Sequence, residues 1–254
     1  MVTIRETQPT ANGFVSADKT VSLTTCVAGD TLVIAHAGNS NPFMADPTSD
    51  AGSLTQEATV TNAFAGRCRL RVYTCPVGST GTKVVTFPYT DGAGGGAGDN
   101  HGSVLVLAGS LVEDGTSTED GVDGSSATSI MNTLSPTLAT DLLVAFFAAF
   151  NTDAAAGYYS AGASGMTLQA QSFDTGFLQL ATFTEQLSAS GATGTRAVVP
   201  VTSDNRYVSA GIAMRVEVVP DGAGLPLTSA TGGLRSSSAV GGRLLISSTG
   251  GRLQ

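Results

Sequence analysis

Ala28–Gly38 reads AGDTLVIAHAG, and Ala139–Ala149 reads ATDLLVAFFAA. Each is a small-residue turn, an aspartate, and then a run that is apolar on both faces. Such a run suits a central β-strand whose outer face is covered by a loop or a partner. Leu142–Phe150 would also pass as a helix, but its match to Thr31–Ala37 and its β-rich flanks favour a strand. The two stretches start 111 residues apart. A second pair, STGTKVVTF at Ser79–Phe87 and ATGTRAVVP at Ala192–Pro200, starts 113 residues apart. A near-constant offset marks a duplicated unit, because chance matches scatter.

The flanking segments agree with that reading. Before each Gly-Thr turn lies a strand-like run, Cys68–Cys75 (CRLRVYTC) and Leu178–Leu187 (LQLATFTEQL). After each comes a closing run, Val104–Val112 and Val208–Val219. The second closing run alternates, with Val208, Ala210, Ile212, Met214, Val216 and Val218 on one face and Ser209, Gly211, Arg215 and Glu217 on the other. Period two predicts one face in a core and one in water. The chain therefore reads as all-β, a jelly-roll-like β-sandwich of two similar halves, 20–112 and 129–219, with at least eight strands in total. Residues 1–19 read as a polar arm, Glu113–Ser126 as an acidic connector between the halves, and 220–227 as a linker.

Composition limits the function. Only 13% of residues are charged and 32 are glycine, which favours turns and strands over a helical enzyme or a disordered chain. The net charge of −8, with no Lys/Arg cluster in sequence, argues against a nucleic-acid groove or an anionic membrane patch. The longest apolar run, nine residues at Leu142–Phe150, is too short to span a bilayer, and the N-terminus shows no signal core. Synthesis in, and initial residence in, a cytoplasm is expected. Three cysteines, Cys26, Cys68 and Cys75, match neither a disulfide framework nor a zinc spacing and read as core thiols.

No motif carries recognisable chemistry. GSTGTK at Gly78–Lys83 lacks the Gly-Lys step and the helix of a phosphate-binding loop, so a hairpin turn is expected. The acidic residues Glu113, Asp114, Glu119, Asp120 and Asp123 lie in a Gly/Ser/Thr-rich stretch that would not hold two carboxylates at a catalytic distance. Solvated carboxylates are the expectation there, with weak calcium binding as the alternative. His36, in a buried run, reads as a satisfied core residue, and His101 falls in the glycine-rich loop Asp91–Gly102. No G-x-S-x-G elbow supplies a nucleophile. No cofactor and no enzymatic activity are expected.

The final segment, 228–254, repeats Gly-Gly pairs every nine residues, at Gly232–Gly233, Gly241–Gly242 and Gly250–Gly251, with Leu234, Leu244 and Leu253 after them. Val240 and Ile246 complete a thin apolar stripe. The absence of any Asp or Glu from 231–254 excludes a calcium-binding nonapeptide helix. Burying five such side chains contributes on the order of 10 kcal/mol, less than the cost of ordering about 24 residues. The stripe thus predicts a short β tail completed by strand addition to other copies or to a neighbouring protein.

The A-G-D-T-L-V start at Ala28, its echo A-T-D-L-L-V at Ala139, the S-x-S-G-A-T-G-T turn at Ser188–Thr195 and the small-residue closing strands resemble virion proteins of tailed phages infecting actinobacteria. These are minor tail proteins and head decorations. The likeness spans residues 20–219 and rests on turn and strand chemistry, so it carries over no functional residue. It implies a non-enzymatic structural protein of the virion, in the tail or its tip, assembling as a homo-oligomer such as a trimer and contacting other virion proteins. A capsid decoration or head fibre, and a carbohydrate-binding module for host attachment through the loops Asn39–Gly52, Asp91–Gly102 and Asn151–Gly165, are the alternatives.

Overall fold

The computed structural model describes residues 1–13, 17–38, 44–61, 68–89, 100–120, 129–150, 159–161, 165–174, 178–200 and 207–217. The chain divides into two units, Met1–Val216 and Glu217–Gln254. The linker 220–227 and every proposed tail residue, from Gly232 to Leu253, lie outside the described residues.

The first half supplies β1 (Ile4–Pro9), β2 (Lys19–Leu23), β3 (Thr31–Gly38), β4 (Thr48–Ser49), β5 (Thr55–Thr61), β6 (Arg69–Pro76), β7 (Lys83–Phe87) and β8 (Asn100–Leu107). The second supplies β9 (Leu111–Asp120), β10 (Ser129–Met131), β11 (Leu142–Phe150), β12 (Tyr159–Ala161), β13 (Thr167–Phe173), β14 (Leu178–Gln186), β15 (Arg196–Pro200) and β16 (Tyr207–Val216). One five-stranded sheet runs β1-β8-β3-β6-β5 and the other β9-β16-β11-β14-β13; the three-stranded sheets run β2-β7-β4 and β10-β15-β12. Adding eight to each strand of the first half gives the second. The duplication therefore holds pair by pair, and all the ladders are antiparallel.

The four sheets stack as three, five, five and three strands, with a core in each gap. Alternation along the central strands assigns the faces. On β3, Leu32 and Ile34 enter the outer core of the first half with Val85, Phe87, Val104 and Val106. Val33, Ala35 and Ala37 enter the middle core with Val144, Phe146, Ala148, Val208 and Ile212 of the other half. On β11, Leu143, Ala145, Phe147 and Ala149 face a third core with Met131, Tyr159, Phe183 and Val198. This explains why β3 is buried along its whole length. Each large sheet is covered on one side by its own small sheet and on the other by its duplicate.

Several sequence expectations are corrected. The arm at 1–19 is not separate, because β1 is an edge strand paired with β8. Its IRETQP sequence is polar because an edge strand buries little. The stretch Val104–Val112 is not one strand: β8 ends at Leu107 and β9 starts at Leu111. The acidic connector is largely β9, paired with β16 on the other edge of the stack. The halves are therefore Ile4–Leu107 and Leu111–Val216. Finally, β16 has no wet face over its first eight residues. Ser209, Gly211 and Ala213 are small enough for β10 to close over them, with Ser209 Oγ donating to Ile130 O at 2.7 Å. A Cβ at Gly211 would overlap Met131 Sδ, and one at Gly102 would overlap the Phe87 ring. The two glycines serve the same purpose, a close approach by the small sheet of each half.

The antiparallel ladders place the ends of the odd strands and the starts of the even strands at one end of the stack, here the loop end. Even-to-odd turns lie at the opposite, turn end. Both halves share this direction, since Thr10 at the end of β1 meets Ser172 at the end of β13.

Candidate functional site

Gly78–Lys83 is a turn but not the expected hairpin: it carries the chain from β6 in the large sheet to β7 in the small sheet, strands that do not pair, and Lys83 Nζ donates to Ser79 Oγ at 2.8 Å. All three cysteines are buried thiols outside any disulfide. Among the described residues, no group of three or more His, Cys, Asp or Glu is arranged to hold a metal. No helix among them is long and apolar enough to cross a membrane. Three polar clusters remain.

The first occupies the outer face of the first half at the loop end. On β6, Arg69, Arg71 and Tyr73 alternate onto one face. Arg71 pairs across the ladder with His36 on β3. Arg71 Nη1 forms an ion pair with Asp46, whose Oδ1 also accepts from Tyr73 OH at 2.7 Å. His36 is fully buried, with its ring 5.3 Å from that of Phe87. Neither of its ring nitrogens makes a well-formed hydrogen bond, although the Ala45 backbone lies beside it. His36 is thus a core residue. Arg69 Nε and Arg71 Nε are likewise shielded and unpaired. Burial, and then the Arg71 charge, pull the His36 pKa down to about 3, so the ring is neutral at physiological pH. Burial and Arg71 also lower the pKa of Arg69. Burial, and then the hydrogen bond to Asp46, raise that of Tyr73.

The second cluster lies in the seam between the halves, also at the loop end. His101 is on β8, not in a loop, and its Nδ1 contacts Ser172 Oγ and, at 3.4 Å, Lys19 Nζ. Thr10 Oγ1 sits 2.9 Å from Ser172 Oγ and accepts from Gly102 N at 3.1 Å. Thr182 Oγ1 donates to Ser103 Oγ at 2.8 Å, and the Cys68 thiol to Ala148 O at 3.5 Å. A serine beside a histidine has the parts of a nucleophile and its base. Here Lys19, His101 and Ser172 are buried in packing between two sheets, and their bonds join one half to the other.

The third cluster is at the turn end, where the halves diverge. Asp30 accepts from Val27 N at 2.9 Å and Gly109 N at 3.1 Å, and pairs with Arg5 Nε at 3.0 Å. Its counterpart Asp141 has Asp114 where Asp30 has Arg5. Asp114 accepts from Thr137 N and Oγ1 at 2.6 and 2.7 Å and pairs with Arg215 at 3.4 Å. The carboxyl of Asp141 faces Asp114 and the Leu138 backbone, and an ionised Asp114 can only accept, so the shared proton must come from Asp141. Burial, followed by Asp114, raises the Asp141 pKa to about 6. Burial also pushes Asp114 upward, but the Thr137 hydrogen bonds outweigh it and its pKa falls. Of the acidic residues singled out in sequence, Glu113 and Asp114 have described side chains, and Asp114 is the one of these two with a built environment. The sequence reading missed Arg69, Arg71, Asp46, Lys19 and Ser172. The alternating arginines of CRLRVYTC, against LQLATFTEQL in the duplicate, were the available signal.

No protein-family profile, curated protein or solved structure matches this chain.

Proposed function

We propose that the chain is a non-enzymatic structural protein of a phage particle, a minor tail or tail-tip protein anchored by its C-terminal segment. The observation that supports this is the polarity of the sandwich. The odd strands of both halves end at one end of the stack, while β16 delivers the chain at Val216 to the opposite end. A body of this form displays loops in one direction and is held from the other. We read each half as a jelly roll. The pairs β1:β8, β2:β7 and β3:β6 are those of one long antiparallel ribbon wrapped on itself, with β5 transferred to the larger sheet. The Gly-Gly-x-Leu segment, through Leu234, Val240, Leu244, Ile246 and Leu253, joins copies into a homo-oligomer, a trimer in the simplest case, and to neighbouring virion proteins.

Gold-labelled antibody against the chain, applied to intact particles, tests this. Label at the tail or its tip is the expected result. Label over the head favours a capsid decoration, and particles without label contradict a virion role. A second reading, attachment to a host-surface glycan through the loop end, is favoured by the unpaired arginine nitrogens there.

A further inference from the structure

The first half keeps charged groups in a place where its duplicate keeps none. The ladder registers equate His36 with Phe147, Arg69 with Gln179, Arg71 with Ala181 and Tyr73 with Phe183. In the second half these positions form an aromatic cluster, with Phe147 edge-on to Phe183 at 5.8 Å and 6.2 Å from Tyr159. The same topology thus folds with no charge at these four described positions. Shielding two guanidinium nitrogens from water without partners is unfavourable, so the charges of the first half are not explained by the fold.

Their arrangement suits an anion. Residues two apart on a strand stand roughly 7 Å apart on one face, so the Arg69 and Arg71 side chains can converge on one small group. A guanidinium offers Nε and Nη donors in a fixed fork that matches an oxyanion. Asp46 is already engaged by Arg71 Nη1 and Tyr73 OH, which leaves Arg69 Nε and Arg71 Nε unclaimed. Asp46 itself is exposed, so the cluster borders solvent.

We infer that the outer face of β6 binds an oxyanion, a phosphate or carboxylate group, between Arg69 and Arg71. This inference is independent of a virion role. The two sources of such a group, a free ion and an anionic glycan, separate in the test. The folded full-length chain is titrated with inorganic phosphate and, separately, with a uronic-acid oligosaccharide, by calorimetry and by the rise in Tm that a native-state ligand produces. Saturable binding of at least one probe is expected; binding of the oligosaccharide alone assigns the group to a glycan. Arg69→Gln installs the residue of the duplicate and should weaken binding about tenfold, by loss of a charge-assisted hydrogen bond. Asp46→Asn removes the competing carboxylate and should tighten binding several-fold, a gain that misfolding cannot imitate. Arg5→Gln at the turn end should leave binding unchanged. Failure of both probes to saturate, or equal binding by wild type, Arg69→Gln and Asp46→Asn, overturns the inference.

Discussion

The two halves of this chain pair the same strands in the same order, yet they fill corresponding positions with different chemistry. Beneath the loop end, the first half places His36, Arg71 and Tyr73 where the second places Phe147, Ala181 and Phe183. At the turn end, Asp30 faces Arg5, whereas Asp141 faces Asp114. The topology therefore depends on what the halves share. That is period-two alternation, small residues where a sheet closes over a strand, and central strands apolar on both faces. The charged groups are additions to it.

The sharpest way to break this comparison is at the His36/Phe147 position. Phe147→Ala should cost about 3–5 kcal/mol, the usual range for removing a buried aromatic ring. His36→Phe, which copies the duplicate, should cost no more than about 2 kcal/mol, because removing the buried ring nitrogens offsets part of the overpacking by the larger ring. Denaturant unfolding measures both. A large loss from His36→Phe would mean that the histidine is structural and that the halves are not interchangeable in this respect.

Asp141 sharpens the comparison through pH. Its folded-state pKa is raised from 3.8 to about 6, so the folded state holds a proton that the unfolded chain releases near pH 4. The resulting stabilisation is complete below the unfolded value and is lost as pH rises through about 6. The groups facing Asp141 are Asp114, Arg215 and the Leu138 backbone. Asp114, whose pKa is lowered, has the opposite sign, and its stabilisation disappears only at more acid pH. Asp141→Asn donates a hydrogen bond without a charge. It should add up to about 2 kcal/mol above pH 6, nothing near pH 4, and flatten the profile between them. A profile that is unchanged in the variant would contradict the carboxyl pair.

The smallest effect belongs to the first-half equivalent. Arg5→Gln should cost at most about 1 kcal/mol, because the Arg5 side chain is 39% exposed and Asp30 keeps the amides of Val27 and Gly109. A loss as large as that from Phe147→Ala would show that the Asp30–Arg5 pair holds the turn end together.

The duplication was legible in sequence because central strands carry dense patterns. Thr31–Gly38 and Leu142–Phe150 are mostly apolar, with Thr31 and His36 the polar exceptions, and the Gly-Thr turns recur at nearly the same offset. The edge strands were not legible. β1 and β9 bury little and carry Arg5, Glu6, Glu113 and Asp114, so a strand looked like an arm in one half and a connector in the other. The wet face expected for β16 failed because Ser209 and Gly211 look like solvent residues but are spacers under β10. The stacking of the halves could be anticipated only as an uncovered second face on β3 and β11, since its partner lies more than 100 residues away. The arginine cluster was visible as alternation in CRLRVYTC, but its meaning required the cross-strand neighbour His36 and the remote Asp46.

The central claim is that Met1–Val216 is a self-sufficient folded body and that the segment after it serves assembly. Light scattering on the full chain and on a chain ending at Val219 tests this most directly. The account predicts a defined multimer for the former and a folded monomer for the latter. Equal masses for the two, or loss of folding when the final segment is removed, would contradict it.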